Sequence, residues 1–392
     1  MSDSKSSPNR VAEHVRALPR SGIRDFFDIV SEMDDVISLG IGEPDFVTPW
    51  TIREATIHAL ERGFCNYTSN LGMMDLRETI CAHAETLFST SYDPTNECII
   101  TVGVSEALDL ALRALLNPGE EVVYHEPCYV SYAPSIAMTH AVPVPVVTSE
   151  ADQFCLDPAA LEEKITPRTR VLLLNFPCNP TGADLSAEQK RHIAQLAIDN
   201  DLIVLTDEIY TELTYGERSD CIASLPGMRE RTIILHGFSK SYAMTGYRIG
   251  YACGPSELIE AMMKIHQYSM LCASSIGQAA ALEALRNAND EMLRMKQEYQ
   301  ERRNVIVKRL NNLGMACAMP KGAFYVFPRI PNLGMSADAF ARALLKEQSV
   351  AVVPGTAFGR CGEGFVRCSY ATALDEIEIA MARIGTFIHT HS

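Results

Sequence analysis

Two kinds of apolar pattern alternate along the chain. In residues 105–116 the apolar positions Ala107, Leu108, Leu110, Ala111 and Leu115 recur at helical spacing, and Asn117-Pro-Gly119 stops the run. The second kind is a short run rich in branched residues, found at 121–124, 171–174, 202–206 and 232–235, with helical stretches between several of them. Runs apolar on both faces and separated by helices predict parallel strands buried in an α/β sheet. A further short strand is expected at 36–41, broken by Gly40, Gly42 and Pro44.

Near residue 285 the pattern changes. Residues 288–313 predict one long, charged amphipathic helix, followed by strands at 323–327, 350–353 and 365–369. A last helix is expected to start at Thr372, with Asp375 as its capping partner, and to run to about residue 387. Helix, strands, helix is the grammar of a smaller α+β domain. The expected organisation is therefore an N-terminal arm (1–20), a large domain (51–287) with a mostly parallel sheet flanked by helices, and a smaller α+β domain (21–50 with 288–392).

Composition narrows the class. At 392 residues, 47% hydrophobic and 21% charged, the chain is ordinary globular protein rather than collagen-like, disordered or coiled-coil. No apolar run reaches the roughly 18 residues that a membrane span requires. The polar start predicts no signal segment, so a soluble protein without a membrane partner is expected. The net charge of −15 would repel a phosphate backbone, which argues against nucleic acid as a partner. Twelve scattered cysteines contain no C-x-x-C pair and no metal-ligand spacing. They read as reduced thiols in a cytoplasmic compartment, with no metal site.

In an open α/β sheet, ligands sit beyond the carboxyl ends of the strands, so the residues just after each strand carry most information. After 171–174 comes Asn175-Phe-Pro-Cys-Asn179-Pro-Thr-Gly182; after 202–206 comes Asp207-Glu-Ile-Tyr210. After 232–235 comes a segment containing Ser239, Lys240 and Arg248. An amide, a carboxylate with a phenol, and an amine with a guanidinium thus converge on one crevice. A lysine that forms an imine needs desolvation or a nearby positive charge, which Phe238, Ala243, Met244 and Arg248 could supply to Lys240. Asp207, at the end of a buried strand, needs a cationic partner such as a protonated pyridine nitrogen. Asn179 and Tyr210 could donate to a phenolate oxygen. Those are the protein handles for pyridoxal phosphate. Thr101-Val-Gly103-Val104-Ser105, between a strand-like run and a helix, is the candidate phosphate site. It matches neither the triphosphate-binding loop nor the dinucleotide fingerprint.

At these residues the sequence resembles the fold-type I pyridoxal-phosphate aminotransferases of class I/II, over roughly residues 20–384. The motifs are Ile37-Ser-Leu-Gly-Ile-Gly-Glu-Pro-Asp-Phe46, Asn179-Pro-Thr-Gly182, Asp207-Glu-Ile-Tyr210, Ser239-Lys240, Ala243-Met-Thr-Gly-Tyr-Arg248 and Phe365-Val-Arg367. The resemblance implies that Lys240 forms the imine and moves the substrate's α-proton, and that Asp207 pairs with the ring nitrogen. Tyr210 and Asn179 would serve the ring oxygen, and Tyr129 would stack on the ring. Arg248, Ser239 and the amides of Val104 and Ser105 would hold the phosphate. Tyr67 would reach the phosphate of a neighbouring subunit, which implies a homodimer with shared active sites. Ser274 and Ser275 are further candidates for facing the cofactor across the dimer. Arg367 would clamp the substrate α-carboxylate, helped by Asn179 and the backbone of Gly42.

The resemblance extends to the archaeal and bacterial aromatic and broad-specificity subgroup, through 243–246, Pro320-Lys-Gly-Ala-Phe-Tyr-Val-Phe-Pro-Arg329 and 352–359. Relatives that prefer aspartate often carry a lysine where this chain has Ser105. Its absence favours aromatic or apolar amino donors, with a 2-oxo acid such as 2-oxoglutarate as acceptor in a ping-pong cycle. The alternatives are aspartate or alanine aminotransfer, C–S β-elimination on the same scaffold, and a non-catalytic binding or regulatory protein.

Overall fold

The computed structural model describes residues 10–19, 33, 35–217 and 220–392. Half of the expected arm (1–9 and 20), and all of 21–34 except residue 33, lie outside the described residues.

A seven-stranded sheet organises the chain from residue 98 to 253. Its strands are β2 (Cys98–Thr101), β3 (Glu121–Glu126), β4 (Val142–Val147), β5 (Thr169–Leu174), β6 (Ile203–Asp207), β7 (Thr232–Gly237) and β8 (Gly250–Cys253). Their order is β2-β8-β7-β6-β5-β3-β4. The four strands expected from apolar runs are present as β3, β5, β6 and β7, each parallel to the next in the sheet. Both faces are buried, as that pattern requires. Leu173, Leu205, Ile233 and Leu235 pack toward the helix Gly103–Leu115, whose Ala107, Leu108 and Ala111 face them. Leu172, Leu174 and Val204 pack on the other side with Ile193 and Leu196 of the helix Ala187–Asp199. Each such side chain taken out of water contributes about 1.5–3 kcal/mol, which fixes the register of every strand.

Two strands went unread. Strand β4 contains Pro143 and Pro145, which depress strand propensity, yet an edge strand tolerates proline because one row of its amides has no partner to bond. Strand β8 is short, begins with glycine and runs antiparallel to both β7 and β2. The sheet is therefore mostly, and not wholly, parallel.

The remaining strands form two small sheets. Strand β1 (Ile37–Ser38) pairs in parallel with β10 (Val350–Ala351). Strands β11 (Val353–Pro354), β12 (Val366–Ser369) and β9 (Tyr325–Val326) form an antiparallel three-stranded sheet in that order. The run 350–353 is thus divided between two sheets at Val352. Helices Asn289–Asn312, Ala337–Gln348 and Leu374–His391 cover this region around Tyr299, Phe340, Ile377 and Phe387. The expected capping of the last helix by Thr372 and Asp375 does not form. Ala373 occupies the N-cap without a side-chain bond, and the Thr372 hydroxyl donates instead to the carbonyl of Ser38 at 3.4 Å. The helix entry is tied to β1 rather than to itself.

One crowded contact links the sheet to the start of the helix Gly103–Leu115. A Cβ on Gly250 would lie 2.5 Å from both the carbonyl carbon of Gly103 and the amide nitrogen of Val104. Backbone atoms cannot rotate aside, so Gly250→Ala must push β8 and that helix apart. We expect a loss of about 1–3 kcal/mol in denaturant unfolding, while Gly246→Ala, with nothing within 4 Å, leaves stability nearly unchanged. Equal midpoints for the two variants would contradict the crowding.

Candidate active site

A cavity of about 740 Å³ opens beyond the carboxyl ends of β5, β6 and β7. Gly42, Val104, Ser105, Tyr129, Asn179, Asp207, Tyr210, Ser239, Lys240, Arg248 and Arg367 all line it. Tyr67 does not; it stands on the surface, 83% exposed. Ser274 and Ser275 are also outside the cavity wall. The Ser274 hydroxyl accepts from the Gly277 amide as a helix cap, and that of Ser275 donates to the carbonyl of Phe64 at 3.1 Å.

Asp207 is the last residue of β6, and its carboxylate is buried. It accepts from the Tyr132 hydroxyl at 2.7 Å and from the Ile209 amide at 3.2 Å. Burial nevertheless pushes its pKa up to about 6, against the smaller lowering by those donors. Asn175, at the end of β5, donates to the Asp207 carbonyl at 2.9 Å and accepts from the Asn179 amide at 3.1 Å. One amide side chain thus joins two strand ends and fixes the spacing between Asp207 and Asn179.

Lys240 follows β7 by three residues, and its Nζ donates to the carbonyl of Gly42 at 2.7 Å. Removal from water lowers its pKa to about 8. Glu43, the next largest influence, raises it, and Arg367 and then Arg248 lower it further. The charge expected from Arg248 is therefore present but secondary to burial. Glu43 also accepts a hydrogen bond from the hydroxyl of Thr245.

Two cationic ends flank Lys240. Arg248 has a left-handed backbone (φ 55°), and its Nη1 donates to the Thr245 carbonyl at 3.0 Å. Its Nη2 would meet a Cβ on Gly103 at 2.6 Å, so glycine is required for this approach. No side chain caps the helix Gly103–Leu115, which leaves its first-turn amides without a side-chain acceptor beside Arg248. At the other end, Arg367 on β12 is buried and donates to the Asn179 side-chain oxygen at 2.9 Å and to the Gly40 carbonyl at 2.6 Å. Its Nε has no hydrogen-bond partner among the described residues. Between the ends, the hydroxyls of Tyr210 and Tyr325 lie 3.0 Å apart, and burial raises the pKa of both phenols.

Tyr132, Asn175, Tyr325 and Glu43 were not singled out by sequence reasoning. Asn175, Tyr325 and Glu43 stand within motifs named above and Tyr132 follows Tyr129 by three residues, but their bonds connect positions far apart in the chain. Tyr132 and Asp207, for example, are 75 residues apart.

The class I and II aminotransferase family model matches residues 34–384. YugH of Bacillus subtilis (strain 168) is 49% identical over 97% of this chain and 98% of its own. The aspartate aminotransferase of Pyrococcus abyssi is 44% identical, covering 95% of this chain and 97% of its own. Among solved structures, the aromatic aminotransferase from Pyrococcus horikoshii OT3 superposes with a TM-score of 0.89 at 43% identity, over 94% of this chain and 99% of that one. The chain belongs to the class I and II aminotransferases, with the fold-type I architecture, and is an enzyme of that class.

The elevated pKa of Asp207 has a consequence for the cofactor-free protein. An acid held at about 6 when folded, and near its ordinary value when unfolded, binds more protons in the folded state between those values. Its contribution to stability therefore falls as pH rises from about 4 to 6 and stays low above. Asp207→Asn is expected to flatten that decline in pH-dependent unfolding of the cofactor-free protein. An unchanged slope would contradict the burial cost assigned to Asp207.

Proposed function

We propose that this aminotransferase binds pyridoxal phosphate in the cavity through the residues expected from the sequence. The observation that carries the reading is the arrangement of Asp207, Lys240, Arg248 and Arg367 around one space without an ion pair joining any two of them. The donor set fits the cofactor. The phosphate suits Arg248, Ser239 and the first-turn amides at Val104 and Ser105. Tyr210 and Asn179 suit the ring oxygen, Tyr129 the ring face, and Asp207 a protonated ring nitrogen. When bound, the cofactor supplies an electron sink that acidifies the substrate's α-carbon.

This chain's own residues supply the rest. Asp207 holds a proton at the ring nitrogen, its geometry kept by Tyr132 and Asn175. Lys240, whose pKa burial lowers to about 8, would take the proton from the α-carbon and deliver it to the cofactor's C4′ carbon, so that the amino group stays with the cofactor. Arg367 receives the α-carboxylate, beside Asn179 and Gly42, and turns the α-hydrogen toward Lys240. A second oxo acid, such as 2-oxoglutarate, closes a ping-pong cycle.

Ile41, Leu108, Val130 and Ile209 contribute apolar lining to the cavity, and Ser105 offers no charge for a distal carboxylate, which supports aromatic or apolar donors. We infer a homodimer as well. Tyr67, Tyr268 and Met270 are exposed apolar side chains on neighbouring segments, which the bond from Asn70 to the Leu271 carbonyl holds together. A second copy would cover them and bring Tyr67 to its neighbour's phosphate site. We further propose the domain division at 51–287 against 21–50 with 288–392. A cytoplasmic location suits the twelve unpaired cysteines.

Protein loaded with pyridoxal phosphate, mixed with one amino acid at a time and no oxo acid, tests the reading. Conversion of the visible band by Phe or Tyr is expected to be at least about tenfold faster than by Asp. Faster conversion by Asp would overturn the donor preference, and no conversion by any amino acid would overturn the activity on this site.

A further inference from the structure

Tyr325 is an uncharged group in the cavity wall that touches both Tyr210 and Arg367. It lies on β9 and is fully buried. Its hydroxyl is 3.0 Å from that of Tyr210, and the two rings meet edge to face at 83°. The Arg367 guanidinium lies 4.4 Å above its ring, with Phe358 at 4.7 Å as a second aromatic neighbour. A Cβ on Gly42 would come within 2.5 Å of its hydroxyl oxygen. The same Gly42 offers its carbonyl to Lys240. The hydroxyl is therefore wedged between Tyr210 and the Gly42 backbone.

We propose that Tyr325 is a two-sided positioning residue: its hydroxyl fixes the phenol of Tyr210, and its ring backs the guanidinium of Arg367. The inference rests on the cofactor reading above. Tyr210 owns one proton. If Tyr325 donates to the Tyr210 oxygen, the Tyr210 proton is left to point into the cavity, toward the cofactor's ring oxygen. Donors in series strengthen one another, so Tyr210 becomes the better donor. The ring acts separately. Arg367 is buried without a carboxylate, and an aromatic face supplies favourable charge density while leaving the edge of the guanidinium open for a substrate carboxylate. A carboxylate placed there instead would close the fork.

The surrounding charges allow a spectroscopic test. Tyr210 faces Asp207 and Arg367, Tyr325 faces Arg367 and Tyr129, and Lys240 faces Glu43, Asp207, Arg248 and Arg367. None of these is altered by changing Tyr325. A weaker donor at the ring oxygen leaves more negative charge beside the nitrogen of Lys240, which then holds its proton to higher pH.

The test uses protein loaded with pyridoxal phosphate, in the wild type, Tyr325→Phe and Tyr325→Leu. Two quantities are read: the pH midpoint at which the visible band titrates, and the affinity for 3-phenylpropionate by calorimetry. Both variants are expected to raise the midpoint by several tenths of a pH unit. The Leu variant is expected to bind 3-phenylpropionate about fivefold more weakly than the Phe variant, which keeps the ring. A purely structural role would not move the midpoint. A wild-type midpoint in Tyr325→Phe overturns the hydroxyl's part, and equal affinities for Phe and Leu variants overturn the ring's part. A wild-type protein with no visible band would instead reject the cofactor reading.

Discussion

A carboxylate and a guanidinium are buried in one cavity and do not pair with each other. Asp207 is satisfied by a phenol and an amide, Arg367 by an amide oxygen, a carbonyl and two aromatic faces. Burying either ion away from a counter-charge costs stability, and direct pairing would relieve it. The fold instead keeps them apart, at the end of β6 and within β12, with Lys240, Tyr210 and Tyr325 lining the same cavity. The rest of the site follows from that separation, because each ion remains available to a ligand atom of opposite charge.

The sheet makes the separation possible. Parallel strands β5, β6 and β7 end together, so Asn175, Asp207 and the Lys240 loop arrive on one rim. The antiparallel β8 then brings Gly250 against Gly103 and Val104, which sets the first turn of the neighbouring helix beside Arg248. The opposite wall comes from the second part of the chain. Arg367 and Tyr325 stand on paired strands β12 and β9, and Gly40 and Gly42 belong to the segment after β1. One cavity is thus lined by residues from both the sheet region and the later part of the chain. The bonds from Lys240 to Gly42, from Thr48 to the Ala243 carbonyl, and between Arg302 and Asp45 join them through the segment 42–48.

Much of this was legible in the sequence. Apolar runs located β3, β5, β6 and β7 because buried parallel strands must be apolar on both faces. Residues just past those strands identified the cavity, since sheet geometry brings strand ends together whatever lies between. Strands β4 and β8 escaped because their prolines and glycine carry the opposite local signal, and only their positions in the sheet explain them. Tyr132 and Tyr325 escaped for a different reason. An aromatic in or near a motif reads equally as core, and what distinguishes these two is the hydroxyl's partner across the fold. Thr372 shows the converse: its spacing to Asp375 suits a cap, but the competing carbonyl of Ser38 takes the hydroxyl. Tyr67 stands exposed on the surface, and its expected role rests on the homodimer proposed above.

The central claim is that Lys240 is the residue that bonds the cofactor covalently. Borohydride reduction of protein loaded with pyridoxal phosphate, followed by proteolysis and mass spectrometry, tests it most directly. The account predicts a single modified lysine, Lys240, with no label in Lys240→Ala. A label on another lysine of the wild type, or an equal label in the variant, would contradict it.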